Sequence, residues 1–132
     1  MNDEFTFEVR VYYEDTDAGG VVYYANYLKY IERARTEAIN SIGLSNKILK
    51  DQYQTFIIVK SCNIEFHKPA KLEDNLQIYS NIEKLNKASF VMKQIIKRNS
   101  ESICEAIIEL VTVNSNGKPV KMPDLMRDKL IK

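Results

Sequence analysis

Tyr24-Ala25-Asn26-Tyr27-Leu28-Lys29-Tyr30-Ile31-Glu32-Arg33-Ala34-Arg35-Thr36-Glu37-Ala38-Ile39-Asn40-Ser41-Ile42-Gly43 is the one long stretch of helical periodicity in this chain. Leu28, Ile31, Ala34, Ala38, Ile39 and Ile42 fall on one apolar stripe. The pattern predicts a helix from about Tyr24 to Ile42, about five turns long. Gly43 stands where a left-handed helix cap is expected. The alanines of the stripe favour close packing against another element.

Period-two segments lie on both sides of this helix. Upstream, Phe5, Phe7, Val9 and Val11 alternate with Thr6, Glu8 and Arg10, which predicts a half-buried strand from Phe5 to Tyr13. Downstream, Ser45 to Gln52 reads as a short helical or irregular connection. Tyr53 to His67 is rich in β-branched and aromatic residues, and Lys68-Pro69-Ala70 stops it, because proline cannot donate to a ladder. Leu76, Ile78, Ser80 and Ile82 alternate with Gln77, Tyr79, Asn81 and Glu83. Ser89 to Arg98 and Ser102 to Asn114 complete the strands, with turns at Asn86-Lys87, Asn99-Ser100-Glu101 and Asn116-Gly117. Pro123 to Lys132 reads as a short terminal helix. The expected order is strand, long helix, then four strands in an antiparallel meander. One helix against one sheet defines a two-layer α+β fold.

At 132 residues the chain is expected to form one domain, 1–132, around one core. Lys plus Arg number 19 and Asp plus Glu number 18, so no charge excess favours nucleic acid or an anionic membrane. No apolar run approaches the roughly 20 residues of a membrane span. The start, Met1-Asn2-Asp3-Glu4, is acidic and lacks an apolar signal core, so the expected location is cytoplasmic. Cys62 and Cys104 both lie in strand-like apolar segments and read as reduced core thiols. They lack the ligand-pair spacing of a zinc site, and no metal is expected.

Familiar catalytic motifs are missing. There is no Gly-x-Ser-x-Gly elbow and no glycine-rich phosphate loop. His67 is the only histidine, and it reads as a structural or surface residue at a strand end. Carboxylates and backbone dipoles remain. Glu14, Asp15 and Asp17 precede the helix, followed by Gly19-Gly20. Such acids often just bond nearby backbone N–H groups in a turn. A metal reading of Asp15 and Asp17 lacks further ligands. The functional reading rests on the two glycines and the helix start beyond these acids. Glycines let a ligand approach the backbone, and the helix start presents free N–H donors and a positive dipole end. A carbonyl oxygen held there is polarised.

The segment Asp15-Thr16-Asp17-Ala18-Gly19-Gly20-Val21-Val22-Tyr23-Tyr24-Ala25-Asn26-Tyr27, with Glu32-Arg33-Ala34-Arg35, resembles the hotdog-fold acyl-CoA thioesterases. It is most similar to the YbgC-like branch, related to 4-hydroxybenzoyl-CoA thioesterase. The likeness continues through Val59-Lys60-Ser61, Phe66-His67-Lys68-Pro69-Ala70 and Gly117-Lys118-Pro119, and covers nearly the whole chain.

The resemblance implies a hotdog fold: a curved antiparallel sheet of about five strands wrapped around one long central helix. It implies edge-to-edge pairing into a homodimer or homotetramer, with active sites at subunit interfaces. The implied reaction is hydrolysis of an acyl-coenzyme A thioester, with no cofactor beyond the coenzyme A of the substrate. Asp17 matches the catalytic aspartate, acting as general base or as nucleophile. The Tyr24 backbone N–H matches the donor that polarises the thioester carbonyl, with Asp15 and Glu14 structural. The YbgC-like branch usually carries histidine at the Tyr24 position, and the hydroxybenzoyl branch carries tyrosine. Gly20 and Val21 are implied to border the substrate, and Ser61 to lie near the site. Lys87, Lys118 and Lys121 are either cations for the phosphates of coenzyme A or solvated turn residues. Glu32 and Arg35 have the spacing of a helix ion pair, with Arg35 a lesser candidate for the site. Tyr27 and Tyr30 read as packing or interface residues. The alternative function is a module that binds acyl thioesters or acyl carrier protein without turnover. The YbgC-like branch is also associated with Tol–Pal envelope assembly.

Overall fold

The computed structural model describes residues 4–131. The acidic start at Met1 to Asp3 and the expected end of the last helix at Lys132 lie outside them. Strand β1 (Phe5–Arg10) leads through a short 3-10 turn (Tyr13–Asp15) and the acidic loop into helix α1 (Ala25–Ser41). Helix α2 (Asn46–Tyr53) follows, then strands β2 (Phe56–Phe66), β3 (Asn75–Leu85), β4 (Ser89–Arg98) and β5 (Glu101–Val113), and helix α3 (Asp124–Ile131).

The strands form one antiparallel sheet in the order β1-β3-β4-β5-β2. With α1 packed on it, this is the expected α+β hotdog arrangement. One part of the expected connectivity is wrong. Only β3, β4 and β5 form a meander; β2 pairs with β5 at the far edge, not with β3. Lys68-Pro69-Ala70 therefore does not end a hairpin. It begins a crossover, residues 67–74, that carries the chain across the sheet end.

Alternation sets the buried face. Leu76, Ile78 and Ser80 of β3, Met92, Gln94 and Ile96 of β4, and Cys104, Ala106, Ile108 and Leu110 of β5 are all buried. Each fully buried Ile or Leu contributes about 1.5–3 kcal/mol through loss of apolar surface. On α1 the buried set includes Tyr27, Tyr30, Ile31, Ala34, Ala38 and Ile39. Leu28, placed on the stripe by its hydrophobicity, is exposed instead. Two tyrosines replace it on the packed face.

The helix is held at a fixed height over the sheet by a buried amide. Gln94 Nε2 donates to the Ile31 carbonyl at 3.0 Å and to Ser80 Oγ at 2.9 Å. Arg35 donates to Gln94 Oε1 at 3.4 Å. Among the described residues it forms no close ion pair with Glu32, contrary to the expected helix pair. Burial pushes the Arg35 guanidinium below its ordinary value, with Glu32 opposing. Gly43, at φ +84, ends α1 as expected, and its N–H donates to the Asn40 carbonyl at 3.0 Å.

The two sheet edges differ. On β1 the residues facing out are Thr6, Glu8 and Arg10, two of them charged. On β2, Ile58, Val59, Cys62 and Phe66 are exposed, and a bulge interrupts the ladder between Val59 and Ser61. Cys62 is thus a surface thiol, not the expected core thiol, while Cys104 is buried.

Candidate active site

The acidic loop is closed by its own backbone. Asp17 N–H donates to the Val21 carbonyl at 2.9 Å, and Gly20 N–H donates to the Asp17 carbonyl at 3.1 Å. Thr16 and Val22 pair across it as an isolated bridge. Gly20, at φ +81, supplies the left-handed residue that lets so few residues reverse the chain.

Within this loop the three acids take different roles. Asp17 is exposed, and its Oδ1 accepts the Gly19 N–H at 2.8 Å. Among the described residues Oδ2 has no partner. Asp15 is structural: its Oδ2 accepts the Tyr12 N–H at 2.9 Å. The Asp15 carbonyl accepts the Tyr23 N–H at 2.9 Å and Asn26 Nδ2 at 2.8 Å. Glu14 is exposed on the 3-10 turn.

Asn26, buried in the first turn of α1, thereby ties the helix start to the loop. Sequence reasoning missed this residue, since a polar residue in a first turn usually faces solvent. Tyr24 precedes α1 with helical dihedrals. Among the described residues neither the Tyr24 nor the Ala25 N–H has an acceptor. These are the open donors of a helix start, and they can receive a developing oxyanion.

Tyr24 lines a cleft of about 260 Å³ with Val22, Tyr27, Phe66, His67, Lys68 and Pro69. The Tyr27 and Phe66 rings stand 5.5 Å apart, so aromatic surface forms its floor. Tyr27 Oη accepts the Ala70 N–H at 2.9 Å, and burial pushes its phenol up. Tyr30 lies deeper; burial, and then the Asp15 carboxylate, push its phenol well up. A larger hollow of about 450 Å³ lies beside Arg10, Tyr12, Tyr13, Leu72 and Glu73. The smaller cleft is the better site, because Tyr24, with its unpaired N–H, forms part of its wall.

His67 also belongs to that cleft wall. Its Nε2 stands 3.1 Å from Glu105 Oε2. Only the tertiary fold brings the chain's single histidine to the Tyr24 cleft, so its position at a strand end gave no signal of this.

The expected site residues divide into two groups. Asp17, Gly20, Val21 and Tyr24 share one loop, and Val21 also bridges to Lys71 of the crossover. Ser61 lies exposed on β2, paired with Glu109. Lys87 follows β3, and its carbonyl accepts the Met122 N–H at 2.8 Å. Lys118 is exposed in the turn after β5, and its N–H donates to Asn114 Oδ1 at 3.1 Å. Lys121 pairs with Asp124 at 3.5 Å. Lys87 and Lys118 stand at the sheet end opposite the acidic loop, separated by the 11 residues of β3, roughly 35 Å.

The five-stranded antiparallel sheet with its long helix is a thioesterase-type fold. The profile of the Thioesterase-like superfamily matches residues 9–130. The chain is 37% identical over 124 residues to acyl-CoA thioesterase YbgC of Haemophilus influenzae, covering 93% of this chain and 91% of that protein. It is 40% identical over 119 residues to acyl-CoA thioester hydrolase YbgC of Escherichia coli, covering 89% and 85%. Its fold matches the crystal structure of a probable thioesterase from Bartonella henselae with a TM-score of 0.88, at 35% identity over 92% of this chain and 100% of that one. This chain belongs to the thioesterase-like superfamily.

Proposed function

We propose that this protein hydrolyses acyl-coenzyme A thioesters, with Asp17 as the working carboxylate and the Tyr24 N–H as oxyanion donor. The observation that carries the reading is one loop holding both a carboxylate with a free oxygen and an open helix start. Thioesters have a good leaving group, and a carboxylate works as a base without histidine. Water attacks the carbonyl carbon and gives its proton to Asp17. The oxyanion rests on the N–H donors, the C–S bond breaks, and the sulfur leaves with the electron pair and takes a proton. Alternatively Asp17 attacks directly, forming a mixed anhydride that water opens. Label in the Asp17 carboxyl after one turnover in ¹⁸O-water identifies the second route with water opening the anhydride at the Asp17 carbon.

The site is completed by a second copy of the chain. Antiparallel pairing of two β2 edges sets the His67 end of one strand against the Phe56 end of the other. Phe56 is registered with Val113, beside the Lys118 turn. Such a homodimer, alone or within a tetramer, brings Lys87 and Lys118 of one copy toward the acidic loop of the other. The exposed apolar residues of β2 support this pairing, since an open strand edge of that kind favours association. A cytoplasmic location fits the two unpaired cysteines.

The test is thiol release from a panel of acyl-CoAs, from short aliphatic to long-chain and aromatic, and from acyl carrier protein thioesters. Asp17→Asn should lose at least about 100-fold in kcat with the same oligomeric state. Equal rates for the two proteins remove Asp17 from the chemistry. Tight binding without turnover across the panel would favour the binding module, and with it a role in Tol–Pal envelope assembly.

A further inference from the structure

The 67–74 crossover is both a wall of the cleft and the support of the acidic loop. Lys68 and Pro69 line the cleft. The Val22 N–H donates to the Ala70 carbonyl at 2.8 Å, and the Leu72 N–H to the Gly20 carbonyl at 3.3 Å. The Ala70 N–H reaches Tyr27 Oη at 2.9 Å. Any movement of the crossover is therefore passed to the residues between Asp17 and Tyr24.

One side chain holds both ends of this segment. Arg98, the last residue of β4, donates through one NH group to Asp74 Oδ2 at 2.6 Å and to the Pro69 carbonyl at 3.2 Å. Its other NH group pairs with Glu101, whose second oxygen takes Lys68 Nζ at 2.6 Å. Asp74 Oδ2 in turn accepts the Lys71 N–H at 2.8 Å. A bulge supports the same corner. The ladder shifts between Ile96 and Lys97, and the Ile103 carbonyl accepts both the His67 and Lys68 N–H groups, at 2.8 and 3.2 Å. The Arg98 and Asp74 side chains are only 24% and 22% exposed, so solvent screens this contact less than a fully open surface pair.

We propose that Arg98 is a positioning residue, which clamps the 67–74 crossover and so sets the cleft wall against the Asp17–Tyr24 loop. The proposal rests on the thioesterase reading for its kinetic consequence alone. A guanidinium suits the task because its planar fork meets three acceptors in fixed directions, whereas an ammonium is a point charge on a flexible stem. Displacements of about 1 Å at a reacting group cost up to about 100-fold in rate.

The experiment compares Arg98→Met and Arg98→Lys with Arg10→Gln. Arg10 pairs with Glu73 of the same crossover at 3.2 Å, but on a more exposed surface, 53% and 69%. Three quantities are measured: kcat and KM on an acyl-CoA that the wild type turns over, the thermal midpoint, and amide exchange at Val22, Ala70 and Leu72. Arg98→Met should lower kcat by about 10–100-fold while KM moves less than about 3-fold. It should also speed exchange at those three amides. Arg98→Lys should recover most of the thermal midpoint, since one ion pair survives, but recover kcat only in part. Arg10→Gln should keep both kcat and the exchange pattern. The proposal is overturned if kcat merely follows the thermal midpoint across the two Arg98 variants. It is also overturned if exchange at the three amides is unchanged, or if Arg10→Gln shows the same losses. Absence of turnover in the wild type would remove the thioesterase reading, and the exchange measurement would still decide the clamp.

Discussion

A methyl group added at Gly19 tests the role proposed for Asp17 without removing its carboxylate. A Cβ at Gly19 would stand 3.2 Å from Asp17 Oδ1, so the carboxylate must give by a few tenths of an ångström. Gly19 does not use a left-handed φ, so alanine adds no backbone strain there. The same residue donates its N–H to that oxygen at 2.8 Å, so the methyl disturbs the contact that orients Asp17. A hydrogen bond to a charged group contributes about 1.5–3 kcal/mol. Loss of about half of it corresponds to roughly a 3- to 10-fold fall in kcat, at about 1.4 kcal/mol per decade. KM should move less than about 3-fold, because the contact matters most in the transition state. The same loss, about 0.8–1.5 kcal/mol, should lower the thermal midpoint by roughly 2–6 °C. Gly43→Ala is the control, with a similar loss of stability and no contact with the acidic loop. Its φ of +84 makes alanine strained, at about 1–2 kcal/mol or roughly 3–8 °C, while it lies at the far end of α1 from Tyr24. Initial-rate kinetics and thermal melts on both variants make the check. Wild-type kcat in Gly19→Ala would refute the role given to Asp17. A matching kcat loss in Gly43→Ala would show that rate simply tracks stability.

The surface chemistry gives two further expected outcomes. In the native protein a maleimide should modify Cys62 and leave Cys104 untouched, because Cys104 is buried and burial pushes its thiol up to about 12. Modification of Cys62 should slow as protein concentration rises and the β2 edge is covered; a concentration-independent rate would count against edge pairing. Lys68, and then Arg98, hold the Glu101 carboxyl below its ordinary value. A carboxyl depressed on folding stabilises above its unfolded value, about 4.3, and loses that contribution as pH falls through the folded value. Thermal melts of wild type and Glu101→Gln should therefore differ at pH 7 and converge in acid; a constant gap down to pH about 2 would refute the assignment.

The fold was legible wherever a local pattern also decided the packing. β3 and β5 turn to the core the residues that their alternation selects, and Gly43 ends the long helix. Strand order was not legible. A short connection beginning at a proline resembles a hairpin loop, but β2 has its long ladder with β5, and that partner is chosen by pairing over many residues. The helix stripe failed at Leu28 for a related reason. Hydropathy ranks leucine above tyrosine, but the Tyr27 hydroxyl can satisfy the otherwise buried Ala70 N–H, and a leucine could not.

The acidic loop was readable because it is closed by contacts a few residues apart. Asp17 meets Gly19, and the loop returns at Val21. The structures that hold the loop in place are long-range. Arg98 reaches Asp74 and Pro69 across 24 and 29 residues of sequence, and Gln94 reaches Ile31 across 63. No spacing rule connects such pairs, since their approach depends on the crossover that the sequence pattern obscured. The same limit applies to Ser61, Lys87 and Lys118, which one chain leaves away from the loop. In the proposed homodimer their relation to it comes from pairing of the open β2 edges, and a linear motif carries no information about a second copy's register. On the proposed reading the reacting groups lie within the acidic loop and the first turn of α1, while charged and amide side chains distant in sequence hold those elements in place. A substitution at Arg98 should therefore change the rate without altering any residue of the motif.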